Sequence, residues 1–394
     1  MRSLALALAL TFAAAAPALA EDPTETFDYD WVFHYYMAYD NNLEGAGQPI
    51  IKMLQAGITS ERVAVLVSAD FRDTDGMQRF VLTKAGQTSE QLSEEGSAEE
   101  ETLASELAWV REHYKAKHYA LVFLDHGGAL GEMSYDEHPG GAGGQDWLYP
   151  PEVGKVIGAF RAQVKGEVEL MFYQQCGKGS LENYYAMRGA AKYVMGSQTT
   201  VGAPNRYYTD AIKAVCEQPE RTGRELAALF TEHETADMFT TYTTLDCAAL
   251  GDLPKQLDAV LEPLLAVETL SVEAVAQLRP CFTFPSGRPI ELFFDGVAML
   301  DALYAAHELD RAPLEAFQTW VKETLITSHR VSPRQNEGAE GWCGFSIFLP
   351  TFPQRLAKYR ETYSIYADTK LGAFHDHWLE AVQALRAQRN APGK

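Results

Sequence analysis

The segment VELMFYQQCGKGSLENYYAMRGAAKYVMGSQ, residues 168–198, determines how the rest of the sequence is interpreted. It begins with an apolar run that is typical of a buried strand, and the run stops at Cys176. Gly177 and Gly179 predict a turn there, and residues 181–190 have the composition of a helix. Open α/β folds place their functional sites at the carboxyl ends of their strands, so this position suits a nucleophile.

A second strand-like run, residues 119–124, stops in the same way at Asp125, His126 and two glycines. If both runs are parallel strands of one sheet, His126 and Cys176 emerge at the same edge. A cysteine with an imidazole in reach is the minimal apparatus for covalent acyl transfer. The two residues are 50 positions apart, as in the caspase signature, although QQCGK departs from the caspase motif around the cysteine.

Strand-like and helix-like segments alternate along the first 250 residues, which predicts an α/β fold with a mostly parallel central sheet. Helical patterns dominate beyond residue 250, including one at residues 314–328, and a strand-like piece follows at 344–350. We therefore expect a catalytic core over residues 21–250. A mainly helical subdomain, residues 251–394, is expected to pack on it.

Residues 1–20 have the composition of a secretory signal peptide, with Arg2, a small-apolar run and the cleavage pattern Ala18-Leu19-Ala20. The run is too short to span a bilayer, so we expect export to the periplasm or the medium without membrane insertion. The net charge of −21 argues against nucleic acid as a partner, because phosphate contacts need clustered Lys and Arg. The oligomeric state is not predictable from the sequence.

An odd number of cysteines, five, leaves at least one thiol without an intramolecular partner in an exported protein. We expect Cys176 to be the free one. The other four allow up to two disulfides in three connectivities, and the absence of a CxxC spacing gives zinc chemistry no support.

An acidic turn contains Asp70, Asp73, Asp75 and Gly76, which together resemble part of a calcium loop. The spacing lacks the bidentate Glu of a complete EF-hand loop, and an acidic surface turn explains the pattern better. We therefore predict no metal site and no cofactor, with calcium as the alternative.

Four motifs together resemble the clostripain-like cysteine peptidases, which are grouped with caspases, legumains and gingipains. They are YMAYDNNLE at residues 36–44, LVFLDHGG at 121–128, the cysteine segment with its downstream YVMGSQ, and GFSIFLP at 344–350. The resemblance extends over most of the chain, and the histidine and cysteine motifs are its specific part.

The resemblance implies a caspase-like α/β/α sandwich and hydrolysis of peptide bonds, so the partner would be a peptide or protein substrate. Carried over to this sequence, Cys176 is the nucleophile and His126 the general acid and base. The backbone N–H groups of Gly127 and Cys176 would form the oxyanion hole. Calcium dependence also occurs within the resembling family.

One position departs from the family pattern. Clostripain-like enzymes carry an acidic residue two places before the cysteine, in a pocket for Arg or Lys, and this chain has Gln174 there. A neutral amide cannot neutralise a buried cation, so strict cleavage after Arg or Lys is not expected. The preferred P1 residue stays open.

Other polar residues follow strands at the same predicted sheet edge. Ser197 and Gln198 come after the strand beyond the cysteine and are candidates for the substrate pocket, together with Gln174 and Asp40. Asp40 or Asn41 could also orient the imidazole, although a helix cap explains both residues equally well.

The sequence as a whole predicts an exported cysteine endopeptidase that acts through a Cys/His dyad and a thioester. Whether it is made as a proenzyme that is cleaved in one of the loops near the site stays open. A noncatalytic binding protein that keeps the caspase fold is the alternative from another class, suggested by Gln174 and the QQCGK motif. Acyl transfer other than proteolysis, such as transpeptidation, would use the same two residues.

Overall fold

A computed structural model describes residues 26–74, 76–93, 96–139, 145–282, 291–334 and 338–390. The predicted signal peptide lies outside these residues. The strands are β1 (Tyr29–Tyr39), β2 (Val63–Phe71), β3 (Gln78–Thr83), β4 (Gly86–Gln91), β5 (Ala116–Leu124), β6 (Met133–Asp136), β7 (Asp146–Leu148), β8 (Glu167–Gln174), β9 (Tyr193–Gly196), β10 (Thr241–Asp246), β11 (Leu292–Asp295), β12 (Ile326–Val331) and β13 (Ser346–Leu349). The helices are α1 (Glu44–Gly57), α2 (Glu100–His113), α3 (Pro150–Gln163), α4 (Leu181–Ala186), α5 (Tyr208–Glu217), α6 (Gly223–His233), α7 (Leu253–Leu265), α8 (Val272–Ala276), α9 (Gly296–Ala306), α10 (Ala312–Trp320), α11 (Pro353–Arg360), α12 (Ile365–Asp368) and α13 (Leu371–Asn390).

Nine of these strands form one sheet in the order β12-β10-β9-β8-β5-β1-β2-β3-β4. The five central strands, from β9 to β2, pair in parallel, while two strands at each edge pair antiparallel. The predicted α/β class with a mostly parallel central sheet is confirmed.

Helices cover both faces of the sheet, which explains why its central strands are apolar without interruption. Trp31, Phe33 and Tyr35 of β1 belong to a cluster that includes residues of α1, α5 and α6. Val32 and Tyr36, on the opposite face, belong to a cluster that includes α2, α3, α4 and helices of the C-terminal region. The sheet is therefore the middle layer of three.

The register between the central strands sets the position of the candidate residues. Leu124, the last residue of β5, pairs with Gln174, the last residue of β8. On its other side, Leu124 pairs with Met37 of β1. The chain segments that follow these three strands consequently leave the sheet at nearly the same level.

The region after residue 250 is mainly helical, as predicted, and β11 and β13 form a separate antiparallel pair within it. It also supplies β12 to the edge of the main sheet, antiparallel to β10. A domain boundary near residue 250 stays a prediction. The addition of β12 to the main sheet shows how closely the two regions are joined.

One local prediction was wrong, and one strand was not predicted. The helix predicted for residues 314–328 ends at Trp320, continues as a π-turn over Val321–Leu325, and becomes β12, because pairing with β10 outweighs the helical pattern. Strand β4 was missed, since its residues are all exposed and carry no apolar signal.

All five cysteines are free thiols in the structure, so the two disulfides that the sequence allowed are not formed. Among the described residues, none of the helices combines the length and the apolar character that a membrane span requires.

Candidate active site

The candidate nucleophile lies in a turn directly after β8. Gly177 adopts a φ of +65°, and its amide donates to the carbonyl oxygen of Thr199 at 2.8 Å. A side chain at this position would be strained and would also meet the ring of Phe282, since a Cβ would lie 2.7 Å from it. Glycine after Cys176 is thus required by both the backbone and the packing.

The turn that carries the candidate histidine touches the cysteine turn. A Cβ added to Gly127 would lie 2.0 Å from the carbonyl oxygen of Cys176, so only glycine permits this approach of the two backbones. Each residue follows the end of its own parallel strand, and the two strand ends are level. The structure therefore brings the segments of His126 and Cys176 together, as the sequence predicted.

A buried lysine joins the two turns. Lys178 donates from Nζ to the carbonyl oxygens of Ala129 and Glu132 at 2.5 and 2.6 Å. Burial lowers the pKa of this lysine to about 8. Sequence reasoning did not identify Lys178, because a lysine beside glycines is ordinarily a solvated surface residue.

Asn42 orients the imidazole of His126 by accepting a hydrogen bond from the ring. The distance from Nε2 of His126 to Oδ1 of Asn42 is 2.7 Å. Since the amide oxygen can only accept, Nε2 carries the hydrogen and Nδ1 holds the lone pair that can take a proton. Burial lowers the pKa of His126, which favours the neutral ring.

The sequence offered Asp40 or Asn41 as the residue that orients the imidazole. In the structure the next residue, Asn42, makes that hydrogen bond instead. Asn41 instead donates from Nδ2 to Oδ1 of Asp125 at 2.9 Å and to the carbonyl oxygen of Tyr135 at 2.8 Å. Asp40 is buried and lies against His138, with 2.9 Å from Oδ1 to the ring Nδ1. Asn41 therefore fixes Asp125, the residue that precedes His126. Asp40 contacts the ring of His138 instead.

The thiol of Cys176 contacts the backbone of Val201 from both sides. The amide of Val201 donates to Sγ at 3.3 Å, and Sγ donates to the carbonyl oxygen at 3.5 Å. Burial raises the pKa of the thiol, and the Val201 amide and the charge of Lys178 offset part of that rise. Within the described residues no hydrogen bond joins Sγ to the imidazole of His126.

Gln174 is buried in a network of amides and tyrosines. Its Nε2 donates to Oδ1 of Asn205 at 2.5 Å and to the hydroxyl of Tyr208 at 2.7 Å, and its Oε1 accepts from Tyr207 at 2.5 Å. Asn205 in turn donates to the carboxylate of Glu234 at 2.6 Å. The side chain of Gln174 is therefore held in one orientation.

Ser197 and Gln198 are completely buried. Ser197 Oγ lies 3.3 Å from the hydroxyl of Thr241, and Gln198 donates from Nε2 to Oδ2 of Asp295 at 3.0 Å. Their backbone runs beside the cysteine turn, where the carbonyl oxygen of Ser197 accepts from the amide of Gly179 at 2.7 Å. In this arrangement Ser197 and Gln198 support the cysteine turn from its buried side.

The acidic residues of the predicted surface turn are separated in the structure. Asp70 is buried in β2, Asp73 is exposed, and Asp75 lies outside the described residues. Gly76 has a φ of +81°, as a tight turn requires. The two described aspartates of this turn therefore differ in environment, since Asp70 lies in the buried sheet and Asp73 is open to solvent.

Two helical layers around a mostly parallel sheet, with a cysteine and a histidine after neighbouring strands at the carboxyl edge, define the class of caspase-like cysteine peptidases. The family model described as the clostripain family matches residues 35–383, which is most of the chain. This chain belongs to the clostripain family, and it is a cysteine-type peptidase. No curated protein sequence matches it significantly.

Solved structures of similar fold come from the same group of peptidases. An X-ray structure described as an inactive zymogen C11 protease from Parabacteroides distasonis superimposes with a TM-score of 0.66 at 18% identity, covering 88% of this chain and 99% of that one. A secreted C11 cysteine protease from Bacteroides thetaiotaomicron, in complex with an irreversible peptide inhibitor, gives 0.64 at 15% identity, covering 86% and 99%. The structure named iotapain, also a secreted C11 cysteine protease from Bacteroides thetaiotaomicron, gives 0.65 at 16%, covering 90% and 100%. These similarities establish the caspase-like fold.

Proposed function

We propose that this protein is an exported cysteine endopeptidase that hydrolyses peptide bonds through Cys176 and His126. The observation that carries the proposal is the contact between the backbones of Gly127 and Cys176 at the level ends of β5 and β8. Export is proposed from the signal-like residues 1–20, and one similar protein is described as secreted.

The reaction starts when Nδ1 of His126 takes the proton of the thiol and the thiolate attacks the scissile carbonyl carbon. The C–N bond breaks, the imidazolium gives its proton to the leaving amine, and a thioester remains on Cys176. Water then loses a proton to the same imidazole and attacks the thioester, which releases the acid and restores the thiol. The hydrogen bond from the thiol to the carbonyl oxygen of Val201 has to break before this reaction can begin.

The backbone amides of Gly127 and Cys176 are proposed to stabilise the oxyanion. Among the described residues neither amide has a hydrogen-bond acceptor. Gly127 faces Met133 in an antiparallel bridge whose hydrogen bonds are made by the flanking residues, so its own N–H points away from Met133. Losing one such donor typically lowers kcat by about a hundredfold or more.

We propose that the P1 preference is not strictly for Arg or Lys. Gln174 carries no charge, and its amide is already bound by Asn205, Tyr207 and Tyr208. A cationic P1 side chain beside Gln174 would lose its hydration without gaining a counter-charge from position 174, which costs several kcal/mol.

A peptide library with every amino acid at P1 tests activity and specificity together. Wild-type protein is expected to cleave within peptides and to be labelled at Cys176 by an acyloxymethyl ketone probe. Cys176→Ala should lose nearly all turnover while keeping its fold, as judged by circular dichroism. Cys216→Ala, which removes another partly buried free thiol, is the matched control and should keep full activity. Equal turnover by wild type and Cys176→Ala would refute the proposal.

A further inference from the structure

Lys178 is a buried cation between the two turns of the candidate active site, and the proposed mechanism does not use it. Its exposed fraction is 0%. Its Nζ lies 2.5, 3.4 and 2.6 Å from the carbonyl oxygens of Ala129, Leu130 and Glu132, which all belong to the turn after β5. The side chain thus reaches from the cysteine turn into the histidine turn.

The three carbonyl groups do not depend on the lysine, because each also accepts a hydrogen bond from another donor. The carbonyl oxygen of Ala129 accepts from the amide of Glu132 at 3.0 Å, and that of Glu132 accepts from the amide of Gly128 at 2.9 Å. The carbonyl oxygen of Leu130 accepts from the hydroxyl of Tyr363 at 2.9 Å. A neutral side chain at position 178 would leave none of these three acceptors unpaired, so hydrogen bonding alone does not explain a buried ammonium.

The charge of Lys178 is not neutralised by an ion pair. Glu132 and Glu291 face it, but none of the ion pairs in the described part of the chain includes Lys178, and Glu291 is paired with Arg355. Burial lowers the pKa of Lys178 to about 8, so the ammonium is still present at neutral pH. A buried charge without a paired counter-ion opposes folding, and such costs are retained mainly where they serve function.

The end of the lysine side chain lies against Gly127, whose amide is proposed to belong to the oxyanion hole. A Cβ added to Gly127 would lie 3.1 Å from Cε of Lys178 and 2.0 Å from the carbonyl oxygen of Cys176. The positive charge of Lys178 lowers the pKa of the Cys176 thiol, whereas Asp125 raises it. The lysine therefore lies next to the groups on which a thiolate and an oxyanion would develop negative charge.

We propose that Lys178 is a positioning residue of the peptidase, which holds the turn after β5 against the cysteine turn and supplies a fixed positive charge beside Cys176. The proton of the thiol still goes to Nδ1 of His126, and Lys178 keeps its own protons throughout. Its charge stabilises the thiolate relative to the thiol, because an opposite charge nearby favours the ionised form. The contribution to peptide hydrolysis rests on the proposed function, whereas the effect on the thiol does not.

The reactivity of the thiol tests this charge without any peptide substrate. Full-length wild type, Lys178→Met and Lys178→Gln are treated with iodoacetamide at pH 7, and alkylation of Cys176 is followed by mass spectrometry. Only the thiolate reacts, so both variants should be alkylated at least about threefold more slowly than wild type. Lys178→Gln keeps a donor for the carbonyl groups without the charge, which separates hydrogen bonding from electrostatics. Lys155→Met, which removes a lysine of α3 that is 68% exposed, is the matched control and should react as wild type.

The pH dependence of alkylation gives a second readout. In wild type the rate should rise about tenfold per pH unit up to about pH 8 and more slowly above it, because Lys178 loses its proton there and no longer favours the thiolate. In Lys178→Met the tenfold rise should continue through pH 8, since burial keeps the pKa of the thiol raised. His126 is neutral in this range, because burial lowers its pKa, and the carboxyl groups of Glu132 and Glu291 are common to all variants.

Turnover and stability complete the test. With the best substrate of the peptide library, both variants of Lys178 should lose at least about tenfold in kcat with KM nearly unchanged, while Tm stays equal to that of wild type or rises. Equal alkylation rates of wild type and both variants at pH 7 would overturn the inference, and a fall in Tm with unchanged alkylation would make Lys178 a purely structural residue. If the variants did not fold, an unbroken tenfold rise through pH 9 in wild type would overturn it as well. Slower alkylation of variants in a protein that cleaves no peptide would support the charge effect and refute only the proposed function.

Discussion

The imidazole of His126 donates from Nε2 to Oδ1 of Asn42 at 2.7 Å, although the two residues are 84 positions apart. This bond joins the segment after β1 to the turn after β5. It fixes both the tautomer and the plane of the ring, which leaves Nδ1 as the proton acceptor. The proposed chemistry therefore depends on a residue that carries out no chemistry itself.

Replacing Asn42 should lower kcat without changing KM. For Asn42→Ala we expect a loss of about 10- to 100-fold, part of the 10²- to 10⁴-fold contribution of a positioned acid–base group. Asn42→Asp should keep the geometry and raise the pKa of His126, so the acid limb of the kcat profile would move to higher pH. Steady-state kinetics between pH 5 and 9 measure both effects, and an unshifted limb in Asn42→Asp would contradict the orientation.

Gly127→Ala should disable the site by separating the two turns. The added Cβ would lie 2.0 Å from the carbonyl oxygen of Cys176, so the backbones have to move apart. We expect activity to fall by about a hundredfold or more and stability by about 1–3 kcal/mol. Gly45→Ala in α1 is the matched control: its Cβ meets nothing within 4 Å, and stability should stay equal or rise by up to about 1 kcal/mol. Full activity of Gly127→Ala would contradict the close approach.

Glu182 should make the protein less stable as the pH rises. Its Oε1 accepts from the amide of Phe348 at 3.1 Å, its Oε2 has no partner among the described residues, and burial raises its pKa from 4.5 to about 8. The folded state favours the protonated acid, so the stabilisation present below about pH 4.5 is lost as the pH rises toward 8. Between pH 4.5 and 7 this loss is on the order of 3 kcal/mol.

Glu182→Gln should remove most of that dependence, because the amide keeps the acceptor for Phe348 and cannot ionise. Urea unfolding at pH 5 and pH 7 measures the effect as the difference in free energy of unfolding. Glu101→Gln, an exposed position in α2, is the control and should retain the wild-type dependence. Parallel pH dependences of wild type and Glu182→Gln would show that this carboxyl is not the cause.

Gln174→Glu should change specificity and reduce stability. Its new oxygen would face Oδ1 of Asn205, so the bond that the amide donates is lost, at a cost of about 1–3 kcal/mol. If position 174 borders the P1 pocket, the carboxylate should raise cleavage after Arg and Lys relative to neutral residues by at least about tenfold. Gln175→Glu, at the neighbouring buried position that donates to Ser134, should leave the P1 profile unchanged. An unaltered profile in Gln174→Glu would place the pocket elsewhere.

The sequence predicted the sheet class and the meeting of the two turns because apolar runs that end at glycines mark strand ends directly. His126 and Cys176 each come two residues after the end of their strand, β5 and β8 respectively. Asn42 was not singled out, because Asp40, Asn41 and Asn42 suit a helix cap about equally, and the choice between them depends on how the chain leaves β1. Lys178 was missed for a related reason: its burial is caused by carbonyl groups about 50 residues earlier in the chain.

Strands β4 and β12 show where local patterns fail. The residues of β4 are polar and exposed, so nothing in their composition distinguishes an edge strand from a loop. Those of β12 follow directly on a helical pattern, and only the unpaired edge of β10 turns them into a strand.

The turn around Cys176 also depends on the far end of the chain. The amide of Ser346 donates to the carbonyl oxygen of Gly179 at 2.9 Å, and the amide of Phe348 binds Glu182 just beyond it. During synthesis, a nascent chain lacks these two anchors until residues 346–348 have left the ribosome. The loop that carries Cys176 is thus among the last parts of the molecule to be completed. A messenger truncated before codon 346 would encode a protein whose cysteine loop lacks both hydrogen bonds.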